Sequence, residues 1–536
     1  MRISQYGKHT RNVKGEVFLM YGKGWSASVY GVEGKLIEIE IDIAHGLPQV
    51  HVVGLPDAAV RESIDRVRSA IRNCGWRFPL ERITINLAPA DLRKEGTAFD
   101  LAVAIALLFS SGQINEAPFD SMLIIGELAL DGTTRVIPGV LTLVDEAKRK
   151  GISSVLLPEG NATEAALVEG IRVYGLRSLS QLRECTSTEG VIQLAPLQWL
   201  AHNGSPSIHD RPPLYNDNIE DYADVRGQAT AKRALTITAA GMHNVLLSGP
   251  PGTGKTMLIR RLPSILPDLS DAEALEVSKL YSVSGKWDRT SHGLIRSRPF
   301  RAPHHSISAA GLIGGGSIPK PGEVSLAHRG VLFLDELPEF PRQALEVLRQ
   351  PLEDKHVTIS RARAVFRFPA HFMLASSMNP CPCGFKSGSA SNTCTCSPAR
   401  LGQYRSRLSG PLLDRIDIQL EVPRAPLAEW TGPVISSADM KLQVIAAQER
   451  QASRYKQLPL QFNSELRGSL LQRFCPLSSS AALMLRDVYE QLGLSIRAHD
   501  RILKVARTIA DVDDCDQIDV AHVAEAVLYR NMDKLK

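Results

Sequence analysis

The sequence predicts a multidomain α/β protein, and three observations carry this prediction. An apolar strand-like run at 244–248 is followed at once by a glycine-rich loop and a helix-like run at 257–262. The first 185 residues mix period-two strand patterns with helical stretches, and the residues from 426 onwards look helical to the end. We therefore expect an α+β N-terminal domain, an αβα core and a helical C-terminal domain.

Domain boundaries are predicted from changes in pattern. The run 37–43 alternates apolar and polar residues like a strand, while 58–72 and 98–108 are typical of helices. A stretch with four prolines and little periodicity follows the first block. The predicted segments are an N-terminal domain (1–185), a linker (186–216), an αβα core (217–425) and a helical C-terminal domain (426–536).

Composition limits the classes of function. The 536 residues are 44% hydrophobic and 22% charged, which is ordinary for a soluble globular protein. No apolar run is long enough to span a bilayer, and the N-terminus lacks the apolar core of a signal peptide. We expect a cytoplasmic protein without a membrane partner. The net charge of +5 is compatible with a nucleic-acid partner but does not require one.

The loop at 249–256 is the most specific motif. Its glycines let backbone N–H groups close around phosphates, Lys255 can place its charge on the terminal phosphates, and the Thr256 hydroxyl can hold Mg²⁺. A chance glycine-rich turn is the alternative, and the strand–loop–helix context argues against it. The predicted ATP-binding residues here are Gly249, Pro250, Pro251, Gly252, Thr253, Gly254, Lys255 and Thr256.

Polar side chains follow two further strand-like runs. Asp335 and Glu336 end the run 330–334, where Asp335 would orient Mg²⁺ and Glu336 would polarise the attacking water. Asn379 follows the run 372–376, from which its amide can reach between the γ-phosphate and that water. A helix-capping pair and an ordinary Asn-Pro turn are the respective alternatives.

Two arginines complete the predicted site. Arg415 lies in a short segment rich in apolar residues, and Arg497 shares one helical face with Arg501 and Lys504. From spacing alone, a solvated charge or a local salt bridge is the better interpretation of each.

The order of these motifs resembles the AAA+ ATPases. The phrases at 298–305, 311–316, 321–328 and 333–340 look like the magnesium-chelatase-like subgroup. This resemblance implies that Asn379 is the first sensor, that Arg415 is an arginine finger directed at a neighbouring subunit, and that Arg497 is the second sensor of a helical lid. Gln228 matches the segment that packs near the nucleotide base.

The N-terminal domain resembles the proteolytic domain of Lon-type (S5-type) proteases, on the phrases at 94–100, 126–132 and 137–139. Ala98 occupies the position of the nucleophilic serine and Leu141 that of the lysine base, so neither can act. Thr97 is adjacent, but on a helix a shift of one residue turns a side chain by roughly 100°. We expect a Lon-like fold without peptidase activity.

The combination of domains resembles the ComM/YifB family over essentially the whole chain. The resemblance implies a homohexameric DNA helicase that binds single-stranded and branched DNA and promotes branch migration during natural transformation and recombination, with recombination proteins as partners. A magnesium-chelatase-like subunit for metal insertion, or an ATPase regulator without motor activity, is the alternative. The N-terminal domain argues against the chelatase, because a chelatase ATPase subunit is not expected to carry one.

A basic segment at 296–320 is the candidate DNA contact. A mobile loop of this kind could follow a phosphate backbone in a central pore, whereas a structural hairpin with buried histidines is the alternative. A second basic stretch, at Arg361, Arg363 and Arg367, is as well explained by a solvated strand face. The predicted DNA-binding residues are Arg296, Arg298, Arg301, His304, His305 and Lys320.

Four of the eight cysteines lie within sixteen positions. Four thiolates suit tetrahedral zinc, although the Cys-x-Cys spacing is tighter than the usual two-residue gap. Four unliganded thiols are the alternative, since a disulfide is disfavoured in the cytoplasm. The predicted ligands of a structural Zn²⁺ are Cys381, Cys383, Cys394 and Cys396.

Overall fold

The computed structural model describes residues 10–13, 16–19, 21–184, 220–288, 293–316, 319–361, 364–386, 394–426 and 434–530. The predicted linker 186–216 and Arg363 lie outside these residues. The chain divides into two compact units. The first unit contains 1–211, 275–294 and 317–320, and the second unit contains 212–274, 295–316 and 321–536.

The first unit is built on a seven-stranded mixed sheet in the order β11-β10-β7-β3-β4-β6-β5. Strands β3, β4 and β6 pair antiparallel, and the remaining neighbours pair parallel. The elements are β1 (Thr10–Val13), β2 (Glu16–Leu19), β3 (Tyr21–Tyr30), β4 (Glu33–Ala44), β5 (Gln49–Val53), α1 (Ala58–Asn73), β6 (Arg82–Ala88), α2 (Asp100–Ser110), β7 (Met122–Ile124), β8 (Glu127–Leu128), β9 (Thr134–Arg135), α3 (Val140–Arg149), β10 (Ser154–Pro158), α4 (Glu159–Ala165), β11 (Arg172–Leu176) and α5 (Ser180–Glu184).

Burial of α2 explains how this unit is held together. Every residue of α2 is buried, as expected of a helix that is apolar all round. The predicted strand 37–43 lies within β4, and its four isoleucines are 0–6% exposed because alternate residues point into the same core. The predicted helix 58–72 is confirmed as α1, which begins after the Asp57 cap.

The second unit contains a five-stranded, fully parallel sheet in the order β13-β16-β19-β12-β20. Helix α9 begins in this unit, and its residues from Leu275 belong to the first. The elements are α6 (Ala229–Gly241), β12 (Val245–Ser248), α7 (Lys255–Arg260), α8 (Leu262–Ile265), α9 (Asp271–Ser284), β13 (Phe300–Arg301), α10 (Ala309–Ile313), β14 (Gly314–Gly315), β15 (Lys320–Pro321), α11 (Glu323–Leu326), β16 (Val331–Leu334), α12 (Arg342–Glu346), α13 (Arg349–Asp354), β17 (His356–Arg361), β18 (Ala364–Pro369), β19 (Met373–Met378), α14 (Pro398–Ser406), α15 (Gly410–Leu413), β20 (Ile418–Glu421), α16 (Ser437–Tyr455), α17 (Ser469–Phe474), α18 (Ser479–Leu492), α19 (Ile496–Val512) and α20 (Val520–Leu528).

The C-terminal helices share one hydrophobic core with the parallel sheet. Buried residues of β12, β16, β19 and β20 form a single cluster with those of α16, α19 and α20. Ser436 begins α16 with a capping box, and Ser495 caps α19, which fixes where each helix starts. At one edge of the sheet, the Gln419 N–H donates to the Tyr529 carbonyl at 2.6 Å.

The structure thus has the mixed α/β architecture that the sequence predicts, with a parallel sheet in the part that carries the glycine-rich loop. The Lon-like assignment of the first unit and the role of α16–α20 as a lid stay predictions. Among the described residues, no helix combines the length and the hydropathy needed to cross a bilayer.

Candidate nucleotide site

The glycine-rich loop joins β12 to α7 at the carboxyl edge of the parallel sheet. Gly252 and Gly254 have φ values of 80° and 84°, in the left-handed region that side chains rarely adopt. Gly249 lies so close to β20 that an added Cβ would be 2.3 Å from the Val422 carbonyl oxygen. The Thr253 hydroxyl donates to the Pro250 carbonyl at 3.0 Å and closes the turn. The loop therefore needs its glycines for conformation and for close packing.

Lys255 begins α7 at the end of the loop and is 8% exposed. Its ammonium donates to the carbonyls of Gly249 and Pro250 at 2.7 and 2.9 Å, and lies 3.3 Å from the Asn379 side-chain oxygen. Burial lowers the pKa of Lys255. The strand order explains the third contact, because β19, which ends at Met378, lies directly beside β12.

Thr256 and Asp335 form the oxygen-rich side of the site. The Thr256 hydroxyl donates to one Asp335 carboxylate oxygen at 2.9 Å, and the Ser377 hydroxyl donates to the other. A hydroxyl and a carboxylate are oxygen ligands of the kind that Mg²⁺ prefers, so these residues fit a magnesium ion. Sequence reasoning missed Ser377. The available signal was its position two residues before Asn379, near the end of β19.

Glu336 extends from the same edge of the sheet into solvent. It is exposed, and its φ of 54° and ψ of 49° put a non-glycine residue in the left-handed region. Its N–H donates to the Asp335 carboxylate at 3.1 Å. The turn thus separates the two carboxylates, with Asp335 directed at Thr256 and Glu336 left accessible.

Gln228 lies at the start of α6, outside the cluster around Lys255. It also has a left-handed φ of 58°, and its side-chain amide donates to the Pro423 carbonyl at 2.8 Å. Its proximity to a nucleotide base stays a prediction.

Arg415 and Arg497 line one cavity of about 590 Å³, together with Arg501 and Lys504. The three cations of α19 therefore share a face, as their spacing predicts. The Arg415 guanidinium donates to the Pro411 carbonyl at 2.6 Å and pairs with Glu353, whereas Arg497 is exposed. The residues lining this cavity include none from the loop 249–256.

The described residues of the basic segment 296–320 form several short elements. It contains β13, α10 and β14, and Lys320 groups with the first unit while the other five candidates group with the second. His304 is exposed and stacks on His305, with ring centroids 4.0 Å apart. Arg296 pairs with Asp271 at 2.8 Å.

Arg298 and Arg301 each make two hydrogen bonds within the chain. The Arg298 side chain is 6% exposed and donates to the carbonyls of Pro267 and Arg329 at 2.7 and 2.8 Å. The Arg298 donors therefore hold backbone carbonyls within the chain, and a contact of Arg298 with DNA stays a prediction. Arg301 forms a two-bond pair with Glu323 at 2.6 and 2.9 Å, which offsets its charge.

In the second basic stretch, Arg361 and Arg367 are exposed on the antiparallel hairpin of β17 and β18. Arg361 donates to the Gly316 carbonyl at 2.6 Å.

The four clustered cysteines converge although seven residues of the intervening sequence are not described. Their sulfur atoms all lie within 4.8 Å of one another. The distance from Cys381 to Cys383 is 3.2 Å, and Cys394 lies 3.7 and 3.6 Å from these two sulfurs. All four are free thiols. Hydrogen bonding, chiefly from the Phe385 backbone, lowers the pKa of Cys383 to about 6.

In the first unit, the positions expected for a peptidase dyad are apolar and packed. Leu141 is 0% exposed and belongs to a hydrophobic cluster against which Ala98 packs. Thr97 donates its hydroxyl to Glu127, and the buried Lys94 ammonium donates to the Pro89 carbonyl. One expectation is corrected here: α2 begins at Asp100, so Thr97 and Ala98 lie in the preceding turn and the helical-rotation argument does not apply to them.

Three family models match the chain, all with magnesium chelatase descriptions. A model described as magnesium chelatase, subunit ChlI, matches residues 221–430. A model for the C-terminal part of that subunit matches 435–530. A third model, subunit ChlI of Mg-chelatase, matches 39–161. Because this third model has a chelatase description, the N-terminal domain does not count against a chelatase function.

Proteins of known sequence show the similarity over nearly the full length. The chain is 46% identical to uncharacterized protein YifB of Salmonella typhimurium, over 94% of this chain and 96% of that protein. It is 42% identical to competence protein ComM of Haemophilus influenzae, over 95% and 97%. Identity to the magnesium-chelatase 38 kDa subunit of Rhodobacter capsulatus is 26%, over 43% and 69%. The chain belongs to the ComM/YifB family of magnesium-chelatase-like AAA+ ATPases.

Proposed function

We propose that this protein is a hexameric, ATP-driven DNA motor that promotes branch migration while incoming DNA is integrated during natural transformation and recombination. The observation that carries the proposal is the separation of the site into two halves. Lys255, Thr256, Asp335 and Asn379 converge at the loop, while Arg415 and Arg497 line a different cavity. Such a pair of half-sites is complete only when one subunit meets the next, as in a ring with head-to-tail interfaces.

Each residue of the loop side has a role in ATP hydrolysis. Lys255 would exchange its carbonyl contacts for phosphate oxygens, and Thr256 and Asp335 would hold Mg²⁺, which neutralises charge on the phosphates. Exposed Glu336 would orient the attacking water, and Asn379, which already contacts Lys255, would link that water to the γ-phosphate.

The arginine side would be supplied by the neighbouring subunit. In one chain Arg415 pairs with Glu353, so an approaching γ-phosphate would compete with that carboxylate for the guanidinium. Arg497 is exposed in the same cavity and would add a second positive charge. Charge developing on the phosphates would therefore be stabilised only at an assembled interface.

DNA would be contacted by members of the basic segment 296–320 whose side chains are exposed or half-buried. The remaining candidates are Arg296, His304, His305 and Lys320, with Arg301 reduced to a minor contribution by Glu323. Support for DNA as the substrate comes mainly from the relative named as a competence protein. Support for zinc as a structural ion comes from the four converging thiols.

A magnesium-chelatase-like ATPase for metal insertion is the second candidate function. The observation in its favour is that family models with the chelatase description cover all three predicted domains. Identity to the chelatase subunit is lower and covers less of the chain than identity to ComM.

Measuring phosphate release with and without single-stranded and four-way-junction DNA separates these candidates. We expect DNA to stimulate turnover and junctions to be resolved by strand movement only with ATP. The variant Lys255→Ala serves as the control without turnover. ATP hydrolysis that ignores every DNA, together with immobile junctions, would reject the motor and favour the chelatase-like function.

A further inference from the structure

The cysteine cluster is compact enough for its four sulfurs to bind one metal ion. Four sulfurs placed about 2.3 Å from one ion in a tetrahedron are separated by roughly 3.8 Å. The three sulfur pairs given above are 3.2, 3.7 and 3.6 Å apart, and all four atoms fall within 4.8 Å. A disulfide would need about 2.05 Å. Because four thiols fill every ligand position, the ion would have no open site for catalysis.

The first pair of cysteines continues directly from the strand that carries Asn379. Strand β19 ends at Met378, whose carbonyl accepts the N–H of Gly249 at 3.2 Å. Two residues after Asn379, the buried Cys381 begins a turn closed by the Gly384 N–H, which donates to the Cys381 carbonyl at 2.9 Å. The metal-binding turn therefore starts where the phosphate-sensing strand stops.

Gly384 brings this turn against the phosphate loop. Its φ is 84°, and a Cβ added there would lie 2.7 Å from the Pro251 ring. Only a glycine allows the turn and the loop to approach this closely. A displacement of the turn would consequently press on, or release, the loop that holds Lys255.

The second pair of cysteines leads to another contact with Asn379. Cys396 precedes α14, which Ser397 caps through the Arg400 N–H. From this helix, the Tyr404 hydroxyl donates to the Asn379 carbonyl at 3.2 Å. Asn379 is thus held from both sides of the cluster, by the chain before Cys381 and by the helix after Cys396.

We propose that zinc bound by Cys381, Cys383, Cys394 and Cys396 positions Asn379 and the phosphate loop, so that loss of the ion lowers kcat much more than it weakens nucleotide binding. The cysteines are positioning residues, since they act through Asn379 and Pro251. The effect on kcat rests on the ATPase function proposed above, whereas the metal site and its link to the loop do not.

Metal content, nucleotide affinity and turnover of the full chain test the proposal. Wild-type protein purified without chelator should contain about one zinc per chain. Cys394→Ser should lose most of it and lower kcat roughly tenfold or more, with the Kd of a fluorescent ATP analogue changed less than threefold. Cys515→Ser, which removes a thiol outside the cluster, should keep both zinc and turnover.

A glycine variant separates positioning from folding. Gly384→Ala forces the turn away from Pro251 while leaving all four thiols in place, so it should retain zinc and still lower kcat. Gly402→Ala in α14 is the matched control, because nothing lies within 4 Å of its added Cβ. Full turnover in Gly384→Ala, or in Cys394→Ser after its zinc is lost, would overturn the link between the cluster and the site.

Amide hydrogen exchange gives a result that does not depend on catalysis. Removing zinc should increase exchange in peptides covering 245–258 as well as 373–386. An increase confined to the cysteine turn, or wild-type protein with far less than one zinc per chain, would overturn the proposal. If wild-type protein shows no ATPase activity but exchange at 245–258 responds to zinc, the proposed ATPase function fails and the link to the loop stands.

Discussion

The two units differ in what occupies the positions where chemistry is expected. In the second unit, Lys255, Thr256, Asp335 and Asn379 converge through hydrogen bonds of 2.9–3.3 Å. In the first unit, the positions that resemble a protease dyad are apolar, and Leu141 is completely buried. The difference teaches that a sequence resemblance and a functional site have to be judged separately, because chemistry depends on the side chains that occupy each position.

The largest expected effect concerns the polar cluster at the candidate nucleotide site of the second unit. Glu336→Gln keeps the shape of the side chain but removes the charge that orients water, so turnover should fall by about 10²-fold or more while ATP binding persists. Phosphate release and a fluorescent nucleotide titration measure the two quantities. Near-normal hydrolysis in this variant would contradict the role assigned to Glu336, because the site would then lack its base.

Mixing subunits tests whether the second unit is completed by a neighbour. Arg415→Ala and Lys255→Ala should each be nearly inactive alone. In an equal mixture, roughly a quarter of head-to-tail interfaces combine an intact Lys255 with an intact Arg415, and activity should return to about that level. If Arg415 acts on the nucleotide of its own chain, mixing restores nothing.

The buried apolar position of Leu141 in the first unit is tested by Leu141→Ala. Because Leu141 is fully buried, the variant should lose about 2–4 kcal/mol of unfolding free energy from the first unit through the cavity it creates. Denaturant unfolding measures this loss.

Casein should remain uncleaved by the wild type and by every variant. ATP-stimulated cleavage that Thr97→Ala abolishes would show that the first unit has peptidase activity.

The smallest expected effect is the pH dependence of stability that comes from the buried histidine His371. Burial lowers the pKa of His371 from 6.5 to about 2, so the folded state keeps this ring neutral while the unfolded state gains a proton below pH 6.5. Stability from this source is present above pH 6.5 and is lost as the pH falls, by about 2 kcal/mol between pH 7 and pH 5.

Denaturant unfolding of His371→Gln at both pH values checks this contribution. The free energy of unfolding of this variant should depend less on pH than that of the wild type. The control variant His45→Gln, at an exposed histidine, should keep the wild-type pH dependence. Equal pH dependence in all three proteins would contradict the claim that His371 is buried and uncharged in the folded state.

Sequence patterns predicted the loop and the elements around it because their spacing is local. A strand, a glycine-rich turn and a helix are adjacent in the chain, and parallel strands bring Asp335 and Asn379 to the same edge. What sequence could not supply were partners distant in the chain. Residue type alone did not show that Glu323 and Glu353 neutralise predicted arginines, or that Arg298 holds backbone carbonyls.

The convergence of the cysteines was foreseeable in part. Two Cys-x-Cys pairs suggested four ligands, but only folding shows that Gly384 carries the turn to Pro251 and that Tyr404 reaches back to Asn379. Conversely, the expected helix at Thr97 and Ala98 starts two residues late, since apolar periodicity does not mark where a first turn begins.

The Tyr529 carbonyl, which accepts the Gln419 N–H, also has a consequence for handling the protein. With Arg530 bridging alongside, it covers an otherwise open strand at the end of the parallel sheet. A chain shortened before this point would expose unpaired backbone groups, which recruit strands from other molecules. Solubility is therefore the first property that a C-terminal truncation should damage, ahead of nucleotide affinity.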